Sequence, residues 1–314
     1  MTLTQLEYLI AVADTGNFTL AAEKSFVTQP TLSMQMQKLE EELAVQIFNR
    51  KTKPIGLTAV GQKIVAQART ILEESQRMQD VIAQEKGLIG GRFRLGIIPT
   101  IMPTLLPLFM REFLKQHPQV VLEIEELNTQ NILDALQQGK LDAGIAATPL
   151  QHNQILERVL YYEPFIGYVP DSHTLHGLEE LEVDDLSSNP VLVLEDGHCF
   201  RNQTLNLCVA DRSQKNKAFD LKSGSFETLI RLSDEGLGMT LLPYLHTRSL
   251  EGQQKNHLKP FKAPSPAREV SLIYTKSQIK LPVIEALHKN ISGIIRGAIA
   301  FEDYQVITPQ LQKN

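Results

Sequence analysis

The chain has 314 residues, 42% hydrophobic and 21% charged, with a formal net charge of −5, the balance of an ordinary globular protein with room for two or three domains. No run approaches the roughly 18 apolar residues of a membrane span, and Glu7, with no basic lead before the first apolar positions, argues against a secretory signal. The expected setting is a reducing cytoplasm without a membrane partner, where a permanent structural disulfide is out of place.

From the N-terminus, residues 4–13 place Leu6, Leu9, Ile10 and Ala13 at helical spacing behind a threonine cap. Gly16-Asn17 interrupts the pattern, and a short helix over 19–25 carries Ala21 and Ala22 for close packing. Phe26-Val27-Thr28 forms a tight turn, with Thr28 capping a third helix along which Leu32, Met36, Leu39 and Leu43 make one buried stripe. Its other face shows Pro30, Met34, Gln37 and Glu41, flanked by Thr31, Ser33 and Lys38. Two short helices joined by a tight turn describe a helix-turn-helix. The segment 49–57, with Arg50, Lys51 and Lys53, reads as a wing against phosphates. Residues 1–58 hold five Lys/Arg against six Asp/Glu, a net of −1, so only the clustering in the wing signals nucleic acid.

Residues 59–89 read as a linker helix and hinge. Ile64, Ala68, Ile71, Ser75, Met78 and Ile82 alternate steps of four and three, a seam expected to pair with a second copy. Gly87 to Gly91 opens the hinge into the larger half, 90–314. Strands over 92–98, 120–126 and 141–146 alternate with helices over 103–117 and 129–138, an α/β order implying a largely parallel sheet. Strands over 165–169, 191–194 and 239–242, with a helix over 225–235, make a second set. A strand over 270–274 and a helix over 282–296 return to the first. Lobe I is expected over about 90–163 and 269–300, lobe II over about 164–268, with a cleft between them. Ligands bind beyond the carboxyl ends of strands in such sheets, where Pro99-Thr100 falls. The fold class is thus α plus α/β: a winged helix-turn-helix, a long linker helix and a two-lobed α/β domain.

The only two cysteines, Cys199 and Cys208, lie nine residues apart. Gly197, His198, Arg201 and Asn202 surround Cys199, and an imidazole and a guanidinium nearby lower a thiol's pKa toward the reactive thiolate. Cys208, between Leu207 and Val209, reads as the more buried. The pair is either redox-active or two small packing side chains. A continuous helix from 199 to 208 would separate the sulfurs by about 13 Å along its axis, whereas a disulfide needs Cα atoms within about 7 Å. Helix and disulfide exclude one another, so oxidation would remodel the segment. His117, His173, His176 and His246 are expected as surface or loop groups, the histidines build no metal site, and no Walker loop or dinucleotide fingerprint calls for a cofactor. The tail 301–314 is expected to be partly disordered.

Leu6-Glu7-Tyr8-Leu9, Asn17-Phe18-Thr19-Leu20-Ala21-Ala22, Thr28-Gln29-Pro30-Thr31-Leu32-Ser33, Leu39-Glu40, Phe48-Asn49-Arg50 and Leu57-Thr58-Ala59-Val60-Gly61, as an ordered set, closely resemble the DNA-binding domain of LysR-type transcriptional regulators. The resemblance implies double-stranded DNA as partner, with Gln29, Pro30, Thr31, Ser33 and Lys38 on the recognition helix and Arg50, Lys51 and Lys53 in the wing. Many members carry a basic residue where this chain has Met34. The two lobes resemble that family's effector domain, itself like periplasmic binding proteins. Within the family, Leu194-Glu195-Asp196-Gly197-His198-Cys199 with Cys208, Ile98-Pro99-Thr100, Leu105-Leu106-Pro107 and Asn128-Thr129-Gln130 are similar to the OxyR peroxide sensors. That implies Cys199 as the peroxidatic cysteine and Cys208 as the resolving one. Thr100 and Thr129 would hold hydrogen peroxide, His198 would help position it, and Arg268 would stabilise the thiolate. Asn202 stands where such sensors commonly carry aspartate, which implies a slower peroxide step or another proton carrier. A homotetramer built as a dimer of dimers, a thiol reductase and RNA polymerase are the further partners implied. The competing readings are a LysR-type regulator that binds a small metabolite in the cleft and, from another class, a thiol peroxidase enzyme.

Overall fold

The computed structural model describes residues 1–50, 52–85, 89–150, 152–195, 197, 199–208, 223–299 and 304–309. It separates into two compact units, 1–86 and 87–314.

The N-terminal unit opens with α1, Leu3–Thr15, where Thr2 and Gln5 form a reciprocal capping box. Asn17 caps α2, Phe18–Lys24, accepting from the amides of Thr19 and Leu20. Thr28 caps α3, Gln29–Leu43, accepting from the amide of Thr31, with Pro30 in the first turn where its missing N–H is harmless. Leu6, Leu9, Leu32, Met36 and Leu39 are buried between these helices. Strands β1, Phe48–Asn49, and β2, Gly56–Leu57, pair antiparallel and frame the wing. Helix α4, Ala59–Glu85, follows. At Gly61 a Cβ would run into the carbonyl of Ile47, which keeps this position a glycine. The start of α4 departs from the expected dimer seam. Val65 and Ala68 are buried in the core of their own unit, and Ile64, Ile71 and Leu72 pack against it. Met78 lies beyond that core, 68% exposed. The apolar period is thus shared between packing on α1 and whatever covers the distal turns. The side chain of Ile82 lies outside the described residues.

The second unit contains β3, Gly91–Ile97; α5, Met102–Gln116; β4, Val120–Glu126; α6, Thr129–Gln137; β5, Ala143–Thr148; and β6, Ile155–Tyr168. It continues with β7, Val191–Leu192; α7, Cys199–Leu207; α8, Phe226–Asp234; β8, Met239–Pro243; and α9, Tyr244–Thr247. The last elements are β9, Leu258–Lys259; β10, Ser265–Thr275; α10, Leu281–Arg296; and β11, Tyr304–Val306. The strand order β4-β3-β5-β10-β6-β8-β7 makes one continuous sheet, with β11 on β10 and β9 on β6.

This sheet is mixed rather than largely parallel. β3 runs parallel to β4 and β5, but β10 is antiparallel to both β5 and β6, and β6 is antiparallel to β8. The strand expected over 165–169 is the last four residues of the 14-residue β6. Its earlier part, 155–164, was hidden because the register slips between Val270 and Ser271 of the partner β10, and a bulge breaks the alternation that marks a strand. Two apolar cores result. One holds Phe93, Leu95, Phe109, Ile145 and Leu272. The other holds Phe165, Tyr168, Phe200, Leu229 and Leu241. β6 runs through both, so the lobes share backbone.

Candidate functional site

The cysteine pocket is assembled from four separate elements. Cys199 is the first residue of α7 and Thr129 the first of α6. Thr129 Oγ1 and Cys199 Sγ lie 2.9 Å apart in a hydrogen bond. Thr100 follows β3, and Arg268 comes from the middle of β10. Arg268 Nη1 donates to Thr100 Oγ1 at 2.9 Å and Nη2 to the Thr100 carbonyl at 3.0 Å. Its Nε and Nη2 both donate to Glu163 Oε2, at 2.9 and 2.8 Å. Glu163 Oε1 also accepts from the amide of Leu245 at 2.8 Å. The guanidinium lies over the Phe200 ring, 5.2 Å from its centroid. Arg268 and Glu163 side chains are 1% and 0% exposed. A charge so deeply buried is tolerated only when paired and hydrogen-bonded, as here.

Burial pushes the Cys199 thiol above its ordinary pKa, while the Thr129 hydrogen bond, the Arg268 charge and a backbone hydrogen bond pull it back. This corrects the expectation of a thiol with a lowered pKa, less buried than Cys208. Cys199 is 7% exposed and sits in the lobe I core, whereas Cys208 is only partly buried and packs against the lobe II core. Burial alone pushes Cys208 up to about 11. Both thiols are free, and the amide of Cys208 still bonds to the Thr204 carbonyl at 3.1 Å. The helix therefore runs unbroken between them and keeps them about 13 Å apart along its axis.

Of the expected pocket residues, the structure joins Cys199, Thr129, Thr100 and Arg268 through contacts or charge. Cys208 is held away from them, and His198 lies outside the described residues. His246 is half-buried on α9 rather than lying open at the surface. It packs at 5.0 Å from the Phe226 ring, and burial lowers its pKa. Glu163 and Phe200 were missed by sequence reasoning. A carboxylate inside the apolar run Tyr161-Tyr162-Glu163-Pro164-Phe165-Ile166 was the available signal for the first. No group of three or more His, Cys, Asp or Glu among the described residues is arranged to hold a metal ion.

In the N-terminal unit, Gln29, Pro30, Thr31, Met34 and Lys38 are exposed on α3 and Ser33 is half-buried. Thr28 and Thr31 hydroxyls bond at 2.8 Å, so the first turn presents ordered polar groups. Arg50 is anchored: Nη2 donates to Glu40 Oε2 at 2.8 Å, and the guanidinium lies 5.5 Å from the Phe18 ring centroid. Glu40 also accepts from the amides of Ile47 and Phe48, which fixes the wing against α3. Lys53 is exposed, and Lys51 lies outside the described residues. Phe26, in the turn before α3, has a φ of 55° and is 96% exposed.

Residues 3–62 match the family described as "Bacterial regulatory helix-turn-helix protein, lysR family", and residues 86–292 match "LysR substrate binding domain". The chain belongs to the LysR family. A hydrogen peroxide-inducible genes activator from Pectobacterium carotovorum subsp. carotovorum is 34% identical over 275 residues, covering 87% of this chain and 90% of that protein. A full-length OxyR from Pseudomonas aeruginosa carrying a cysteine-to-aspartate substitution aligns with a TM-score of 0.71 and 35% identity, covering 93% of this chain and 98% of that one. A hydrogen-peroxide-bound cysteine-to-serine mutant of Corynebacterium glutamicum OxyR aligns with a TM-score of 0.65 and 27% identity, covering 95% and 93%. The matched families are those of a transcriptional regulator, and none is an enzyme family. No described helix is long and apolar enough to cross a membrane.

Proposed function

We propose that this LysR-family protein is a DNA-binding transcription regulator that senses hydrogen peroxide through a reversible Cys199–Cys208 switch. The observation that carries the reading is the Cys199 pocket: a buried thiol bonded to Thr129, under the charge of an arginine that also holds Thr100.

In this reading the hydroxyls of Thr100 and Thr129 hold peroxide, donating to and accepting from its oxygens. The Cys199 thiolate attacks one oxygen. An S–O bond forms, the O–O bond breaks, and the departing hydroxide takes up a proton to leave as water. The sulfenic acid at Cys199 is then attacked by the Cys208 thiolate. An S–S bond forms, the S–O bond breaks and a second water leaves. The cysteines have lost two electrons and peroxide has gained them. Because α7 holds the sulfurs far beyond disulfide reach, the second step requires the helix to unwind. Unwinding also brings Cys208 out of the burial that raises its pKa.

The remodelled segment changes subunit packing in a homotetramer, a dimer of dimers, and so the spacing of the α3 helices on double-stranded DNA. Gln29, Pro30, Thr31, Ser33 and Lys38 face the groove while Arg50, Lys51 and Lys53 meet the backbone. RNA polymerase reads the altered complex, and a cytoplasmic thiol reductase system resets the switch. The test is a DNA footprint of the full chain before and after peroxide. The footprint is expected to change in the parent and to stay fixed in Cys199→Ser. A peroxide-dependent change that survives Cys199→Ser overturns the proposal.

A further inference from the structure

Helix α7 is tied down from outside. Gln203, 0% exposed, donates from Nε2 to the Ile307 carbonyl at 2.7 Å, and Asn206 Nδ2 donates to the Thr308 carbonyl at 3.2 Å. Both side chains lie between the cysteines. The segment they hold, 304–309, is itself fixed to β10. β11 pairs parallel with it in the register Ser265↔Tyr304, Pro266↔Gln305 and Ala267↔Val306. The Ile307 amide then donates to the Ala267 carbonyl at 2.8 Å. Ile307 packs against the lobe II core, and Pro309 is buried. One short strand near the C-terminus thus contacts the helix that begins at Cys199 and the strand that carries Arg268, one residue past the paired Ala267.

We infer that residues 304–309 form a strap that latches the reduced, helical state of α7, with Gln203 as the positioning residue that sets the redox poise of the Cys199–Cys208 pair. The inference rests on the proposed thiol–disulfide switch. Both side-chain bonds require α7 to be helical, because they place donors three residues apart on one face against consecutive carbonyls. Unwinding α7 breaks them, so the strap stabilises the dithiol and not the disulfide. Oxidation must therefore release 304–309 from α7, and loss of the strap must favour oxidation.

The test equilibrates the full chain, a chain ending at residue 303, and Gln203→Met with mixtures of reduced and oxidised dithiothreitol, which exchanges two electrons with the cysteine pair. Met matches Gln in helix propensity, so that variant removes the donor without weakening α7 itself. The shortened chain is expected to shift the equilibrium about tenfold toward the disulfide, a potential about 30 mV more negative. Gln203→Met is expected to shift it about fivefold, as for one lost hydrogen bond. In the parent, amide exchange over 304–309 should be at least about tenfold faster in the oxidised protein than in the reduced one. Should the shortened chain fail to fold, Gln203→Met and the exchange measurement still decide. Equilibria within twofold of the parent, or exchange unchanged on oxidation, overturn the strap while leaving the peroxide switch standing. A parent that forms no Cys199–Cys208 bridge overturns both.

Discussion

Cys199 and Cys208 stand at opposite ends of one helix and differ in almost everything else. Cys199 sits at the N-terminus of α7 in the core of lobe I, with a hydroxyl 2.9 Å from its sulfur and a guanidinium whose charge reaches it. Cys208 sits just past the other end, against the core of lobe II, with burial as the sole perturbation of its thiol. The difference teaches that a role can be assigned by surroundings even when neither thiol has a depressed pKa. One site is built to stabilise an anion at the moment it forms, through an oriented donor, a fixed charge and a helix N-terminus. In the proposed switch, the other becomes reactive only once the helix between the cysteines is lost.

The sharpest way to break this comparison is to remove each sulfur in turn. Cys199→Ser should abolish peroxide consumption, whereas Cys208→Ser should still react and accumulate a sulfenic acid at Cys199, as read by a sulfenate-trapping reagent and peptide mass. Equal loss in both variants would erase the distinction.

Next in size is the charge beneath the pocket. Arg268→Met leaves Glu163, 0% exposed, as an uncompensated buried carboxylate. It should lose about 3–5 kcal/mol of stability in urea unfolding, together with slower peroxide attack at Cys199. Neutralising both partners, Arg268→Met with Glu163→Leu, should recover most of the stability and none of the rate.

The pH dependence sharpens the contrast further. Burial favours the neutral Cys199 thiol, and attack requires the thiolate, so reactivity should rise with pH. The rate of peroxide attack should climb through neutrality and into the alkaline range, by up to about tenfold per unit, without a plateau near neutral pH. A plateau there in stopped-flow measurements would show that the pocket stabilises the anion more than it desolvates it. The smallest effect belongs to Thr129→Val, which removes one hydrogen bond. It should slow attack by about fivefold, a net of roughly 1 kcal/mol, and leave the Cys208 step unchanged.

How much of this was legible in the sequence follows from how local each signal is. Thr28 capping α3 and the stripe of Leu32, Met36 and Leu39 on α3 are settled by residues within a turn or two of one another, and the structure places them as read. Arg268 and Glu163 are 105 residues apart in sequence, and only the pairing of β6 with β10 brings them together. No local pattern announces that pairing, and the bulge at Val270/Ser271 disguises it. The same non-locality reversed the expected burial of the cysteines. The residues flanking each cysteine in sequence suggested that Cys208 is the more buried, but Thr129 and the lobe I core close over Cys199 from elsewhere in the chain. In α4 the apolar seam was visible, but its division between α1 and the distal turns was not, because a period of 3.5 does not say which surface it meets.

The most direct test of the central claim is non-reducing peptide mass mapping of the full chain after one equivalent of hydrogen peroxide, at low protein concentration. An intrasubunit Cys199–Cys208 bridge that dithiothreitol reverses is the expected result. Two free thiols with the peroxide unconsumed would contradict it and leave the cysteines as packing groups in two neighbouring cores.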